Sequence, residues 1–221
     1  MDRILEPELM DDDEQAKAYT EADFSEPHQK FVTLFKETFP DRHITGYVLD
    51  LGCGSCDVTI RFAKAFPDCV IHAVDGSAAM LGCAGDLLKQ DEHLQRQVSL
   101  IYGLIPSTVL PQNAYDVVLS NSLLHHLDDP SILWDTVKRY VTSGTIVYIV
   151  DLMRPDTKED ARMLVDRYAG GEPTILQRDF YNSLLASFEP DEIRSQLKSA
   201  GLDNLSVRKI SNRHVLVSGI M

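Results

Sequence analysis

Long hydrophobic runs, cysteine and positive charge are all scarce in this chain of 221 residues. No apolar run approaches the roughly 20 residues that span a bilayer, and the first residues lack the basic start and apolar stretch of a secretory signal. A cytoplasmic protein without membrane contact is therefore expected. Lysine and arginine number 21 against 34 acidic residues, which gives a net charge of −13. Such a surface repels phosphate backbones, so nucleic acid is not an expected partner.

The four cysteines are Cys53, Cys56, Cys69 and Cys83. Cys53 and Cys56 have the C-x-x-C spacing of some metal and redox sites. Both, however, lie inside a glycine-bearing turn, and Cys69 and Cys83 fall on a predicted strand and a predicted helix. The pattern favours reduced thiols used as small apolar residues, and no metal site is predicted.

Strands and helices alternate from residue 46 onward, a pattern typical of a parallel sheet covered on both faces. Strands are predicted near 47–51, 70–74, 97–102, 115–120, 144–150, 204–210 and 213–219. Helices are predicted near 57–66, 77–90, 130–140 and 190–200. Only Ser211-Asn212 separates the last two strands, so these two are expected to pair antiparallel.

Two segments lie outside this alternation. Residues 1–45 are predicted to form a helical N-terminal cap, with Pro27 interrupting it and a helix at 29–39. In its first part Leu9, Met10, Ala16, Tyr19 and Ala22 are predicted to share one helix face. Within the main domain, 46–221, the stretch 151–189 is too long for a simple connection. It follows the carboxyl end of the fifth strand and is predicted to be a lid insertion with helices of its own.

The glycine-bearing turn, Gly52-Cys53-Gly54, joins the first strand to the first helix of the main domain. Glycines without a Cβ let backbone N–H groups at a helix start approach a ligand closely. About twenty residues later the second strand ends in Asp75, where a carboxylate is placed to accept hydrogen bonds from a ribose diol. This pairing indicates a nucleoside-bearing cofactor at the edge of the sheet.

The motifs resemble those of the class I S-adenosylmethionine-dependent methyltransferases. Residues 50–54 (DLGCG) match the family's first motif, 73–77 (AVDGS) its acidic second motif, and 115–121 (YDVVLSN) its fourth-strand motif. The resemblance extends over roughly residues 40–220. It implies a doubly wound, Rossmann-like α/β fold with a seven-stranded, mostly parallel sheet and an antiparallel C-terminal hairpin.

The resemblance also implies a set of residues that bind S-adenosyl-L-methionine. Asp75 is the ribose candidate, and Asp50 is the candidate for orienting the amino-acid tail or the turn. The full predicted set is Tyr19, Asp50, Gly52, Cys53, Gly54, Asp75, Gly76, Met80, Leu104 and Asn121. Asp75 as a helix cap, Tyr19 as a packing residue and Asn121 as a partner of loop backbone remain alternative interpretations.

The chain departs from the family pattern at two places. Cys56 stands where the turn often has a third glycine, which adds a side chain near the start of the helix. After the third strand, Gly103 is followed by Leu104 where the family often has an acid that binds the adenine amino group. Adenine recognition would then use backbone near Leu104 and Ile105.

The candidate catalytic residues are His125, His126, Asp151, Arg154 and Tyr181. Histidine is a general base suited to neutral pH, although the resemblance equally allows a structural role for the His-His pair. Arg154 has a donor fork that suits a substrate carboxylate, and an Arg154–Asp179 ion pair that closes the lid is the alternative.

The predicted function is methyl transfer from S-adenosylmethionine to an oxygen, nitrogen or sulfur atom of a small molecule. One alternative is a nicotinamide-dependent oxidoreductase, whose fingerprint requires a third glycine where Asp57 stands. The other is a catalytically inactive cofactor-binding scaffold. A homodimer is left open by the sequence.

Overall fold

The computed structural model describes residues 1–6 and 11–221, so the predictions for Leu9 and Met10 lie outside the described residues. A seven-stranded sheet forms its centre. The strands are β1 (Gly46–Leu51), β2 (Cys69–Asp75), β3 (Val98–Tyr102), β4 (Val117–Asn121), β5 (Ile146–Leu152), β6 (Ser206–Lys209) and β7 (His214–Ile220).

Helices precede the sheet and connect its strands. They are α1 (Asp13–Glu21), α2 (Ser25–Thr38), α3 (Asp57–Ala65), α4 (Ala78–Leu88), α5 (Glu92–Gln97), α6 (Ser131–Tyr140), α7 (Lys158–Ala169), α8 (Thr174–Ala186) and α9 (Pro190–Ala200). A single 3₁₀ turn, Leu124–His126, follows β4. Helix α5 and this turn were not predicted, because each is too short to show an apolar period.

The strand order in the sheet is β3-β2-β1-β4-β5-β7-β6. All pairs from β3 to β5 are parallel, whereas β7 pairs antiparallel with both β5 and β6. The predicted fold class is confirmed, including the antiparallel hairpin at the C-terminal end. Since the order reverses between β1 and β4, the carboxyl ends of these two strands border the crevice in which such sheets bind ligands.

The prediction that Pro27 interrupts the cap is wrong. Pro27 lies in the first turn of α2, which starts at Ser25. Proline is tolerated there because the first-turn N–H groups have no intrahelical acceptor. The first six residues are not helical, so the helical part of the cap begins at Asp13 among the described residues.

Helix α2 packs its aromatic face onto the sheet. Phe35 lies within 5.1 Å of the rings of Phe62 and Tyr148, both in edge-to-face geometry. The Tyr148 hydroxyl donates to the Phe31 carbonyl, 3.0 Å away. Buried aromatic rings of this size contribute strongly to core stability, so the cap is anchored in the core rather than loosely attached.

The stretch predicted to form a lid contains α7 and α8, which lie between β5 and α9, and its role as a lid stays a prediction. Their buried faces form a separate small apolar cluster with Leu152 of β5. Among the described residues no helix is both long and apolar enough to cross a membrane.

Candidate active site

The turn after β1 is held against the end of β2 by backbone hydrogen bonds. The N–H groups of Gly52 and Cys53 both donate to the Val74 carbonyl, at 2.8 and 3.0 Å. Gly52 and Gly54 have φ angles of +71° and +53°, in the left-handed region that favours glycine. A Cβ on Gly52 would lie 2.8 Å from Leu123 Cδ1. The positive φ angle and the close approach of Leu123 together require glycine at position 52.

Cys56 occupies the residue before α3 and adopts the same left-handed conformation, with φ +66°. This is the position at which the resembled family often has a third glycine. The Cys56 side chain is completely buried in the core. The helix still begins at Asp57, one residue later, so the added side chain is accommodated by packing and not by a later helix start.

Asp75 closes the turn from the other side. Its two carboxylate oxygens accept hydrogen bonds from the N–H groups of Gly54 (2.7 Å) and Ser77 (2.8 Å). Burial raises the pKa of Asp75, and these backbone donors act against that rise. Each carboxylate oxygen has a second lone pair, so the side chain retains the capacity to accept from a ligand diol.

Asp50, at the end of β1, is almost fully buried. Thr59 Oγ1 of α3 donates to it at 2.6 Å. Burial raises the pKa of Asp50 from 3.8 to about 6, and the Thr59 hydrogen bond acts against that rise. A carboxylate in this state favours a cationic neighbour, because a positive charge would replace the lost hydration of its ionised form.

A cavity of about 630 Å³ opens over the carboxyl ends of the strands. The ten predicted cofactor residues all line it, as do His125 and His126. Apolar side chains of α2, β5, the lid helices and the segment after β6 also line it, together with charged residues of the same elements such as Lys30 and Asp179, and they form an apolar chamber: Phe31, Leu34, Leu152, Leu176, Phe180 and Ile210. The structure therefore joins the glycine turn, the two histidines and an apolar chamber in one space.

Asp151 holds the 3₁₀ turn in place from the neighbouring strand β5. It accepts hydrogen bonds from the Leu124 N–H (2.7 Å) and from His125 Nδ1 (2.5 Å). Burial of the imidazole lowers the pKa of His125, but the Asp151 carboxylate outweighs this and the net direction is upward. Asp151 thus orients His125 and does not itself line the cavity.

Like Asp151, the predicted catalytic residues Arg154 and Tyr181 do not line the cavity. Arg154 is buried between the lid and α9, where it donates to the Ser187 carbonyl (3.0 Å) and to Glu192 (2.8 Å). The suggested Arg154–Asp179 ion pair is therefore corrected, since Asp179 instead accepts from Gln15 of α1 at 2.7 Å. Tyr181 packs in the small lid cluster.

Replacement of Arg154 by Met is expected to lower the free energy of unfolding by about 1–3 kcal/mol, because the buried Ser187 carbonyl and two carboxylates lose their donor. Chemical denaturation measures this loss. Arg162→Met is the matched control, because Arg162 pairs with Glu159 at the surface and is expected to contribute under about 0.5 kcal/mol. A stable R154M with a raised KM for an acceptor would instead place Arg154 at the substrate.

Several cavity or cap residues have no sequence signal that identifies them. Asp11 accepts from the Ala78 N–H at 3.1 Å, which adds a second acceptor at the start of α4 beside its N-cap Ser77. Glu6 lies 3.2 Å from His126 Nδ1. Both contacts join residues more than 60 positions apart, and single acidic residues in irregular segments carry no local pattern.

Comparison with known proteins finds similarity to methyltransferases. Residues 49–147 match the family model described as a methyltransferase domain. An uncharacterized methyltransferase of Mycobacterium tuberculosis is 26% identical over 177 residues, covering 79% of this chain and 86% of that protein. One from Schizosaccharomyces pombe is 31% identical over 107 residues, covering 47% of this chain but only 38% of that protein's length.

Among solved structures, the plantazolicin methyltransferase BpumL in complex with a pentazolic desmethylPZN analog and SAH has a TM-score of 0.68. It is 16% identical and covers 94% of this chain and 91% of its own. At that identity the likeness shows the fold alone. Domain match, relatives and fold agree, and together they support a class I S-adenosylmethionine-dependent methyltransferase.

Proposed function

We propose that this protein transfers a methyl group from S-adenosylmethionine to an oxygen, nitrogen or sulfur atom of a small, partly apolar molecule. The observation that carries the proposal is the single cavity that connects the glycine turn and Asp75 with the histidine pair and an apolar chamber. The sulfonium of the donor supplies an already activated methyl group. What remains for the protein is alignment and exclusion of water.

The cofactor-side residues fit that donor. Asp75 retains lone pairs for the ribose diol, and Gly54 leaves room where a Cβ would come within 3.5 Å of Met80 Cε. Asp50 faces the same cavity with a carboxyl group that favours a cation, as the ammonium of the amino-acid tail provides. We assign Tyr19, Gly76, Leu104 and Asn121 to the walls around the nucleoside and the methyl group.

On the acceptor side, we assign His125 and His126 to the cavity wall beside the reactive atom of the acceptor. His125 is oriented by Asp151, while the apolar wall holds the remainder of the molecule. Arg154 and Tyr181 are left out of this assignment because neither lines the cavity. The acidic surface and the enclosed chamber favour a small-molecule partner over nucleic acid.

The rival classes separate in a binding experiment. S-adenosylhomocysteine is expected to raise the melting temperature and NADH to leave it unchanged, because only a ligand of the native state stabilises it. Stabilisation by NADH alone would support an oxidoreductase. An inactive scaffold would bind S-adenosylhomocysteine but would form none of it from S-adenosylmethionine. A panel of hydroxyl, amine and thiol acceptors tests for this activity.

The raised pKa of Asp50 has a direct consequence for stability. A carboxyl whose folded pKa is about 6 contributes stability that is complete below its ordinary value of 3.8 and is lost as pH rises through about 6. Asp50→Asn has no ionisable carboxyl at this position, so its stability does not fall in this way as pH rises. The unfolding free energy of D50N relative to wild type is therefore expected to rise with pH, by up to about 1.4 kcal/mol per pH unit between pH 4 and 6, and then level off.

Urea denaturation of both proteins across that range measures the difference. Asp86→Asn is the control, because it makes the same substitution at an exposed carboxylate on α4. A flat curve for D50N would show that the Asp50 carboxyl titrates normally in the folded protein.

A further inference from the structure

Three potential metal ligands converge beside the cavity. Glu6, from the N-terminal segment, places Oε1 at 3.6 Å from His125 Nε2 and 3.2 Å from His126 Nδ1. The three ligand atoms all lie within 4.8 Å of one another. The exposed fractions of the side chains are 8% for Glu6, 2% for His125 and 16% for His126. The cluster is thus largely shielded from solvent and not a chance surface grouping.

The spacing of these atoms suits a shared cation. Ligands bound at about 2.0–2.1 Å in tetrahedral geometry lie about 3.3 Å from one another. The two carboxylate–imidazole separations bracket that value. In addition, Glu6 Oε1 is inaccessible to solvent and has no hydrogen bond in good geometry among the described residues. A buried carboxylate oxygen that faces two imidazole nitrogens is stabilised by positive charge between them, and a cation would supply that charge.

One ring nitrogen of His125 is held by a carboxylate, as it is in many metal-binding histidines. Its Nδ1 is engaged by Asp151, which leaves Nε2 to point at Glu6. A carboxylate on the far ring nitrogen fixes the tautomer and the orientation of a ligating imidazole. Asp151 in turn is fixed by the backbone N–H groups of Leu124 and Leu152.

The surrounding charge favours a cation. Asp151 and Asp179 both interact electrostatically with Glu6, and Asp179 is itself paired with Arg178. Arg3 brings a positive charge near His125, and its guanidinium donates to the carbonyl groups of His125 and Leu127. When both imidazoles are neutral, the cluster of Glu6, His125 and His126 together with the outer carboxylate of Asp151 carries more negative than positive charge.

We infer that Glu6, His125 and His126 bind one divalent transition-metal ion of the Zn²⁺, Co²⁺ or Ni²⁺ class. Two imidazole nitrogens select such ions over Mg²⁺ and Ca²⁺, which prefer oxygen ligands. His125 and His126 both line the cavity, so the remaining coordination position would face the acceptor side. The inference goes beyond methyl transfer and does not depend on the proposed acceptor.

The test uses the full chain, freed of any affinity tag and of metal by chelation. Titration with CoCl₂ and ZnCl₂ in the absence of cofactor is expected to show one site per chain, and low-coordinate cobalt is expected to give visible d–d absorption. MgCl₂ is expected to give no comparable binding. Glu6→Gln and His126→Asn are each expected to weaken binding at least 100-fold, and Asp151→Asn by about 10–100-fold.

Two controls exclude other metal-binding groups. His43→Asn removes an exposed imidazole that pairs with Asp68 at 3.1 Å, and Cys53→Ser removes one thiol of the C-x-x-C pair. Both are expected to leave the affinity unchanged. Circular dichroism and the melting temperature check that every variant is folded.

The inference is overturned if the wild-type chain takes up no stoichiometric Zn²⁺ or Co²⁺, or if folded E6Q and H126N both bind with wild-type affinity. Loss of binding in C53S, with thiolate-to-cobalt charge transfer in the wild type, would also overturn it and move the site to the cysteines. Failure of S-adenosylhomocysteine to bind, by contrast, would leave metal binding intact and count against the proposed function alone.

Discussion

Replacement of Asp75 by Ala is expected to weaken binding of S-adenosylhomocysteine by about 2–4 kcal/mol, or roughly 30- to 1,000-fold in Kd. Two effects contribute. The ribose diol loses its charged acceptor, and the N–H groups of Gly54 and Ser77 lose the carboxylate that orders the turn. Isothermal titration calorimetry measures the affinity directly.

Asp86→Ala is the matched control for this prediction, because Asp86 lies on the neighbouring helix α4 with its carboxylate exposed. It is expected to bind within twofold of wild type. Unchanged affinity in a folded D75A would show that the ribose does not contact Asp75. A D75A protein that fails to fold would be replaced by Asp75→Asn, which keeps one acceptor oxygen and is expected to fall between D75A and wild type.

Gly52→Ala is expected to lower the free energy of unfolding by about 2–5 kcal/mol and to abolish measurable cofactor binding. A left-handed alanine costs roughly 1–2 kcal/mol, and an overlap that cannot relax adds about 1–3. The overlap is rigid because the new Cβ would lie 2.9 Å from Leu123 Cβ, close to the backbone of the segment after β4. Relief would require movement of the turn itself.

Gly201 provides an unusually close control, because it has the same φ of +71° and an added Cβ there would meet no atom within 4 Å among the described residues. Gly201→Ala is therefore expected to show the conformational cost alone, about 1–2 kcal/mol, with cofactor affinity retained. Denaturation curves for both variants separate the two contributions. If G52A and G201A lost equal free energy of unfolding, the contact of the added Cβ with Leu123 would contribute nothing to the loss in G52A.

The regular part of the fold was predictable because its signals are local. Buried parallel strands such as β1 and β4 are short apolar runs, and the break at Ser211-Asn212 marks the final hairpin. The glycine turn and Asp75 were also recognisable, since a close backbone approach and a strand-end acid each depend on one residue type. All the predicted cofactor residues line one cavity, although their contacts with the cofactor stay a prediction.

The acceptor side was much less predictable, because long-range packing decides it. Arg154 follows β5 and has the composition of a substrate ligand, yet the fold turns it toward Glu189 and Glu192. Glu6 meets His125 across 119 positions of chain, and nothing in its neighbourhood announces this contact. Such pairs depend on where an irregular segment crosses the surface, and no periodic pattern encodes that path.

Cys56 shows the same difference between what the local pattern indicates and what long-range packing decides. From sequence it is a departure from the third glycine of the motif, which suggests a shifted helix start. In the structure it keeps the left-handed conformation and buries its side chain completely. The strain of about 1–2 kcal/mol is offset by burial of the side chain, a tertiary effect that the local pattern does not contain.

The central claim is that the turn at Gly52–Gly54 and the carboxylate of Asp75 hold the nucleoside of the methyl donor. A crystal structure with S-adenosylhomocysteine tests it most directly. We expect the ribose hydroxyls within hydrogen-bond distance of Asp75, and the sulfur facing Asn121 and the histidine pair. A nucleoside bound outside this cavity, or one whose ribose has no contact with Asp75, would contradict it.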